Sequence, residues 1–115
     1  MKKPTTKTLS EPTSHLVDVT MTGFSPATLT VQSGDTVEFK SVKGTHWVAS
    51  AVHPDHKVYP GSDIWKCNGP EEETIFDACR RISEGKSYLF TFTEKGSWKY
   101  HDHVNPRLTG TIVVE

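Results

Sequence analysis

Six of the 115 residues are histidines, and five of these fall in two groups. His101 and His103 stand two apart, with Asp102 between them. His53 and His56 frame the run His53-Pro54-Asp55-His56, and His46 precedes it. Imidazole suits copper, zinc, iron and nickel, so closely spaced histidines point first to a transition metal. On a strand, side chains two apart share a face, which makes His101 and His103 a chelating pair. Pro54 stiffens the second pair. The candidate metal ligands are therefore His46, His53, His56, His101 and His103. Asp102 could ligate as well, or orient a histidine from behind. Read singly, each histidine is an ordinary polar residue, and the isolated His15 keeps that reading.

Strands must carry these groups. Val17, Val19 and Met21 alternate with polar residues, as a half-buried strand does. A turn follows over Thr22-Gly23-Phe24-Ser25-Pro26. Leu29 and Val31 mark a second strand, Val37 and Phe39 a third, and Thr45 to Val52 a fourth. From His53 to Gly85 the periodicity fades among Pro54, Pro60, Gly61, Gly69 and Pro70. That long irregular loop could hold a short helix over Glu71 to Arg80, with acidic residues in its first turn. Alternation returns at Tyr88, Phe90 and Phe92. The remaining strands run over Ser97 to His103 and Leu108 to Val114. On the strand ending at His103, Trp98 and Tyr100 look like core, which turns the histidines outward or toward the sheet's end. The pattern predicts an all-β fold, an antiparallel β-sandwich of about seven or eight strands.

The length suits one domain, with residues 1–14 as a disordered leader and 15–115 as the fold. Thirteen basic residues stand against fourteen acidic ones, for a net charge of −1. No basic excess offers to hold a phosphate backbone, so nucleic acid is not an expected partner. No apolar run approaches the roughly 18 residues of a membrane span, and the polar N-terminus has no apolar signal core. Cys67 and Cys79 are the only cysteines. An even count in a small β domain favours one disulfide, worth about 3 kcal/mol over so short a loop. Free thiols and a pair of metal ligands are the alternatives.

Several ordered pieces together resemble cupredoxin domains, over about Val17 to Glu115. They are Gly23-Phe24-Ser25-Pro26-Ala27-Thr28-Leu29-Thr30-Val31, then Gly34-Asp35-Thr36-Val37, Gly96-Ser97-Trp98-Lys99-Tyr100, and Leu108-Thr109-Gly110-Thr111-Ile112-Val113-Val114. The resemblance implies a Greek-key sandwich, with His46 where the family has its first copper-ligating histidine. It also implies a departure. Asp102 falls at the place of the blue-copper cysteine, Asn105 at that of its histidine, and Leu108 at that of its methionine. A blue centre needs the thiolate, so none is expected here. Tyr100-His101-Asp102-His103 with Gly110 resembles instead the Y-H-x-H strand of multicopper oxidase domains, although the partner H-x-H is absent, since Trp47-Val48 follows His46. The loop from His53 to Pro60, taken with that strand, is similar to small bacterial cupredoxin-like proteins.

The expectation is a monomeric protein that binds one copper ion, with zinc as the other candidate, through a histidine-rich, non-blue site. Its role would be copper carriage, sequestration or slow redox chemistry, outside the cytoplasm (periplasmic or secreted), with a protein partner the sequence does not identify. A copper-dependent redox enzyme is the alternative, but no acid–base pair or nucleophile signature supports it. A third reading is an interaction module that kept the fold and lost the metal.

Overall fold

The structure, a computed structural model, describes residues 13–115. The expected leader falls mostly on residues 1–12, outside that range. Thr13 and Ser14 already belong to the fold, since the Thr13 carbonyl accepts from Thr36 N–H and Ser14 opens β1.

Eight strands form two sheets of four. They are β1 (Ser14–Thr20), β2 (Gly23–Ser25), β3 (Thr28–Val31), β4 (Asp35–Ser41), β5 (Val48–Ser50), β6 (Ser87–Phe92), β7 (Gly96–Asp102) and β8 (Thr109–Val114). One sheet has the order β2-β1-β4-β6 and the other β3-β8-β7-β5. The sheets are mixed, which corrects the antiparallel expectation: β1 runs parallel to β4, and β3 parallel to β8. The chain leaves the first sheet for β3 and returns for β4. A strand entering after such a crossing need not reverse direction as a hairpin partner must.

Alternation explains which faces meet. Val17, Val19, Val37, Phe39, Phe90 and Phe92 from one sheet pack against Val31, Val48, Tyr100, Ile112 and Val114 from the other. Each fully buried side chain of this kind contributes about 1.5–3 kcal/mol relative to exposure. Gly110 is where β8 passes closest to an aromatic ring, for a Cβ there would lie 2.6 Å from the Tyr100 hydroxyl. Trp98 is half-buried against this core, as expected of it in part, whereas Trp65 is exposed.

The middle of the chain departs most from expectation. The fourth strand shrinks to three residues, because Trp47 N–H goes to a side chain and Ala51 adopts a positive φ of 77°. The helical reading of Glu71 to Arg80 reduces to a 3-10 turn over Glu72–Thr74, with another over Ile64–Lys66. Beyond it, Ile75, Phe76, Asp77, Ala78 and Cys79 are all buried, in an extended run along the outer edge of β5. Ser50 N–H donates to the Phe76 carbonyl and Ala78 N–H to that of Val48. Five consecutive buried residues suit a segment covered on both sides, and a helix would have turned some of them to water.

The sulfurs of Cys67 and Cys79 are bonded across a Cα separation of 5.3 Å, which ties this segment to the irregular loop. Among the described residues no helix is long and apolar enough to cross a membrane.

Candidate metal centre

β7 delivers His101 and His103 to one face, as their spacing requires. That face is not open to water at His101, which is fully buried. The loop after β5 folds across it and places His53 and His56 alongside. The His56 ring centroid lies 5.0 Å from those of both His101 and His103. That of His53 lies 5.9 Å from His101 and 6.4 Å from His103. Ligand-capable atoms of His53, His101 and His103 fall within 4.8 Å of one another. His53 is exposed, so the cluster has one edge in solvent.

The hydrogen bonds decide which nitrogens are available. His101 Nδ1 is 2.9 Å from the Ala51 carbonyl, which can only accept, so this nitrogen donates. Its Nε2 is then a bare lone pair, buried and without a hydrogen-bond partner among the described residues. His103 Nδ1 is buried and unpartnered in the same way. Such atoms are costly unless something meets them, at about 1–3 kcal/mol each. His56 Nδ1 lies 2.7 Å from Oδ2 of the buried Asp77, which leaves Nε2 as its ligand atom. A metal-bound histidine commonly has this arrangement, one ring nitrogen on a carboxylate or carbonyl and the other on the ion.

Burial lowers the pKa of His101, against a smaller upward push from the Ala51 carbonyl. The neighbouring His56, His103 and His53 lower it further. The pKa of His103 is lowered too, by burial first and then by His56. Both rings are thus held in the neutral form that a metal needs.

Among the five candidate ligands, the structure brings together His53, His56, His101 and His103 and leaves His46 outside. His46 is buried with both ring nitrogens facing acceptors: Nδ1 is 2.5 Å from Asp102 Oδ2, and Nε2 is 2.7 Å from the Lys43 carbonyl. Both ring nitrogens are thus engaged within the fold. Asp102 is buried on the core-facing side of β7, where it also accepts from the backbone N–H groups of Trp47 and Val104. It therefore serves His46 rather than the cluster. Asp55 and Asp63 accept from nearby loop N–H groups of Lys57 and Trp65. His15 pairs with Asp35 at 2.9 Å, in keeping with its ordinary reading.

Asp77 is the residue that reading the sequence missed. Nothing in the spacing marks it, since it reaches His56 only because the run from Ile75 is extended rather than helical. Cys67 and Cys79 flank it, but their sulfurs are bonded to each other and offer no thiolate.

By donor type, clustered imidazoles of this kind suit copper or zinc. No family profile matches the chain. A chloroplastic plastocyanin from Silene latifolia subsp. alba is 29% identical over 93 residues, covering 79% of this chain and 52% of that protein. A plastocyanin from Lactuca sativa is 27% identical over 93 residues, covering 79% and 86%. The chain thus spans about half the length of the first of these relatives. Among solved structures, a purple cupredoxin from Nitrosopumilus maritimus superposes with a TM-score of 0.63 at 16% identity, covering 87% of this chain and 98% of that one. A copper(I) form of an amicyanin mutant gives 0.64 at 24% identity, covering 89% and 82%.

Proposed function

We propose that this chain, a cupredoxin-like domain, binds one copper ion in a non-blue, all-nitrogen site and serves in copper carriage or sequestration. The ligands are His101 and His103 from β7 with His53 and His56 from the loop after β5. The observation that carries the reading is the pair of buried, unpartnered ring nitrogens, His101 Nε2 and His103 Nδ1, grouped with His53 and with the His56 ring 5.0 Å from both. Imidazole donors suit Cu(II), and zinc is the competitor with the same donor preference. Copper held there supplies one-electron redox chemistry in addition to simple retention. The chain's own residues do the rest: Ala51 and Asp77 orient the His101 and His56 rings, burial favours the neutral forms of His101 and His103, and exposed His53 gives an entry edge.

The plastocyanin and amicyanin likenesses support copper, and the disulfide fits an oxidising compartment outside the cytoplasm. Fast electron transfer through a thiolate centre is not part of the reading, because the chain has no free cysteine.

Copper(II) titration against a competing chelator, followed by paramagnetic resonance, tests the proposal. The expected result is one copper per chain with a nitrogen-dominated signal. His101→Ala and His103→Ala should each weaken binding at least tenfold, about 1.4 kcal/mol. Undiminished affinity in the double variant would place the ion elsewhere.

A further inference from the structure

Asp77 holds more of the cluster than a single ring. Oδ2 accepts from His56 Nδ1 at 2.7 Å, and Oδ1 accepts from Trp47 Nε1 at 2.7 Å. The Trp47 ring in turn lies against His103, with centroids 4.7 Å apart. One buried carboxylate thus sets the rotation of His56 directly and supports His103 through an indole.

The third donor to Asp77 comes from the disulfide. Cys79 N–H reaches Oδ1 at 2.8 Å, a side-chain turn over two residues. Cys79 has a φ of 61°, in the left-handed region, which costs a residue with a Cβ about 1–2 kcal/mol. The bond to Cys67 and the hydrogen bond to Asp77 are what hold it there. Released from Cys67, Cys79 gains by returning to negative φ, and a compensating turn of the Ala78–Cys79 peptide takes its N–H away from Oδ1. Cys79 is buried, while Cys67 is half-exposed and gives a reductant its point of attack.

We infer that Asp77 is the positioning residue of the histidine cluster and that the Cys67–Cys79 disulfide holds it in place, so that reduction of the bridge loosens the cluster's grip on its metal. The inference rests on the metal-site reading above. The chemical step is thiol–disulfide exchange. A dithiol delivers two electrons and two protons, the Cys67–Cys79 bond breaks, two thiols form, and the dithiol leaves as its own disulfide. The oxidised protein retains metal, and the reduced protein yields it.

Serine variants test this without a reductant that would also act on copper. The probe is copper(II), titrated against a chelator, with tryptophan fluorescence and the paramagnetic signal as readouts. Asp77→Ala should weaken binding about 10–100-fold and alter the paramagnetic signal. Asp77→Asn keeps an oxygen that can accept from His56 and should restore part of the affinity and the parent signal, a rescue that a purely structural role would not give. The double variant Cys67→Ser/Cys79→Ser should lose a comparable factor. Adding Asp77→Ala to it should cost little more, because both changes act through one contact. Full additivity would make the disulfide a mere staple and overturn the coupling. Parent affinity in Asp77→Ala would overturn the positioning role, and this variant decides the matter even if the serine double variant fails to fold. If His101→Ala loses copper while these variants do not, the metal site stands and only this inference falls. A parent that binds no copper removes both.

Discussion

Nδ1 of His46 lies 2.5 Å from Oδ2 of Asp102, and both residues are buried. These are the two positions that resemblance assigns to the first histidine and the cysteine of a blue-copper centre. Here they satisfy each other, and Asp102 Oδ1 takes two backbone N–H groups besides. The pair closes that place in the fold, while the free imidazole nitrogens gather across β7. Removing one partner of a buried pair leaves the other unmet, at a cost of about 3–5 kcal/mol. Asp102→Ala should therefore lower the unfolding free energy of the metal-free protein by that much, as read from the midpoint and slope of its urea unfolding. A loss within the ordinary range for a surface substitution would show the pair to be incidental.

The colour of the copper-loaded protein follows from the sulfurs. Intense cupredoxin absorption needs a thiolate on Cu(II), and both cysteines are consumed in the bridge. The oxidised, copper-loaded protein should show only weak visible bands. An intense band in an absorption spectrum would mean that Cys67 or Cys79 had been freed to ligate.

Acid should act on the metal-free fold through the cluster. His101 and His103 have folded pKa values below the ordinary 6.5, chiefly from burial. Below about 6.5 the unfolded chain binds more protons than the folded one, so stability falls as pH falls through that window and is full above it. Copper affinity falls in the same direction, since the ligands must be neutral, but it should persist further into acid than an ordinary imidazole set would allow. Melting temperatures of metal-free protein from about pH 7.5 to about pH 5 check this, with His101→Gln losing part of the slope. A flat profile in the parent would contradict it.

How much of this could be read from the residues differs by element. Strands on both sides of the irregular loop were legible, because period-two alternation at Val17 and Val19 and at Phe90 and Phe92 meets a core on one face, although Met21 falls beyond β1 and is exposed. The bonding of Cys67 to Cys79 was legible from count and context. Strand parity puts His101 and His103 on one face, and the loop carrying His53 and His56 is able to fold back over the same strand end. The exclusion of His46 was not legible, since it depends on Lys43 and Asp102 meeting its two nitrogens through tertiary placement. The burial of His101 was missed for a similar reason, because the covering loop has no periodicity of its own. Parallel pairing of β1 with β4 was hidden too, as alternation fixes faces and says nothing of direction.

His15 should behave as a fold residue and nothing more. It pairs with Asp35, whose carboxyl burial pushes up in pKa but which its hydrogen bonds with His15 and with Thr13 and Gln32 N–H bring net below 3.8. A depressed carboxylate contributes stability that is present above its unfolded pKa and lost as pH falls through the folded value. His15→Ala should leave copper affinity unchanged and move acid unfolding to higher pH. Circular dichroism across an acid titration reads the second effect, and a changed copper affinity would tie His15 to the cluster after all.

The four proposed ligands should not contribute equally. His101 is buried and oriented by the Ala51 carbonyl before any ion arrives, so little freedom is lost on binding. His56 is buried and held by Asp77. His53 is exposed, and a free side chain must be ordered to ligate, at a cost of about 0.5–1.5 kcal/mol. His53→Ala should accordingly weaken copper(II) binding less than His101→Ala does, and should chiefly change the exchange rate at the open edge. His46→Ala should lower stability while leaving the paramagnetic signal of bound copper as it is in the parent. Titrations of these three variants under one set of conditions give the order. If His46→Ala changes the nitrogen pattern of the signal while His53→Ala leaves both signal and affinity intact, the ion lies on the His46 side of β7.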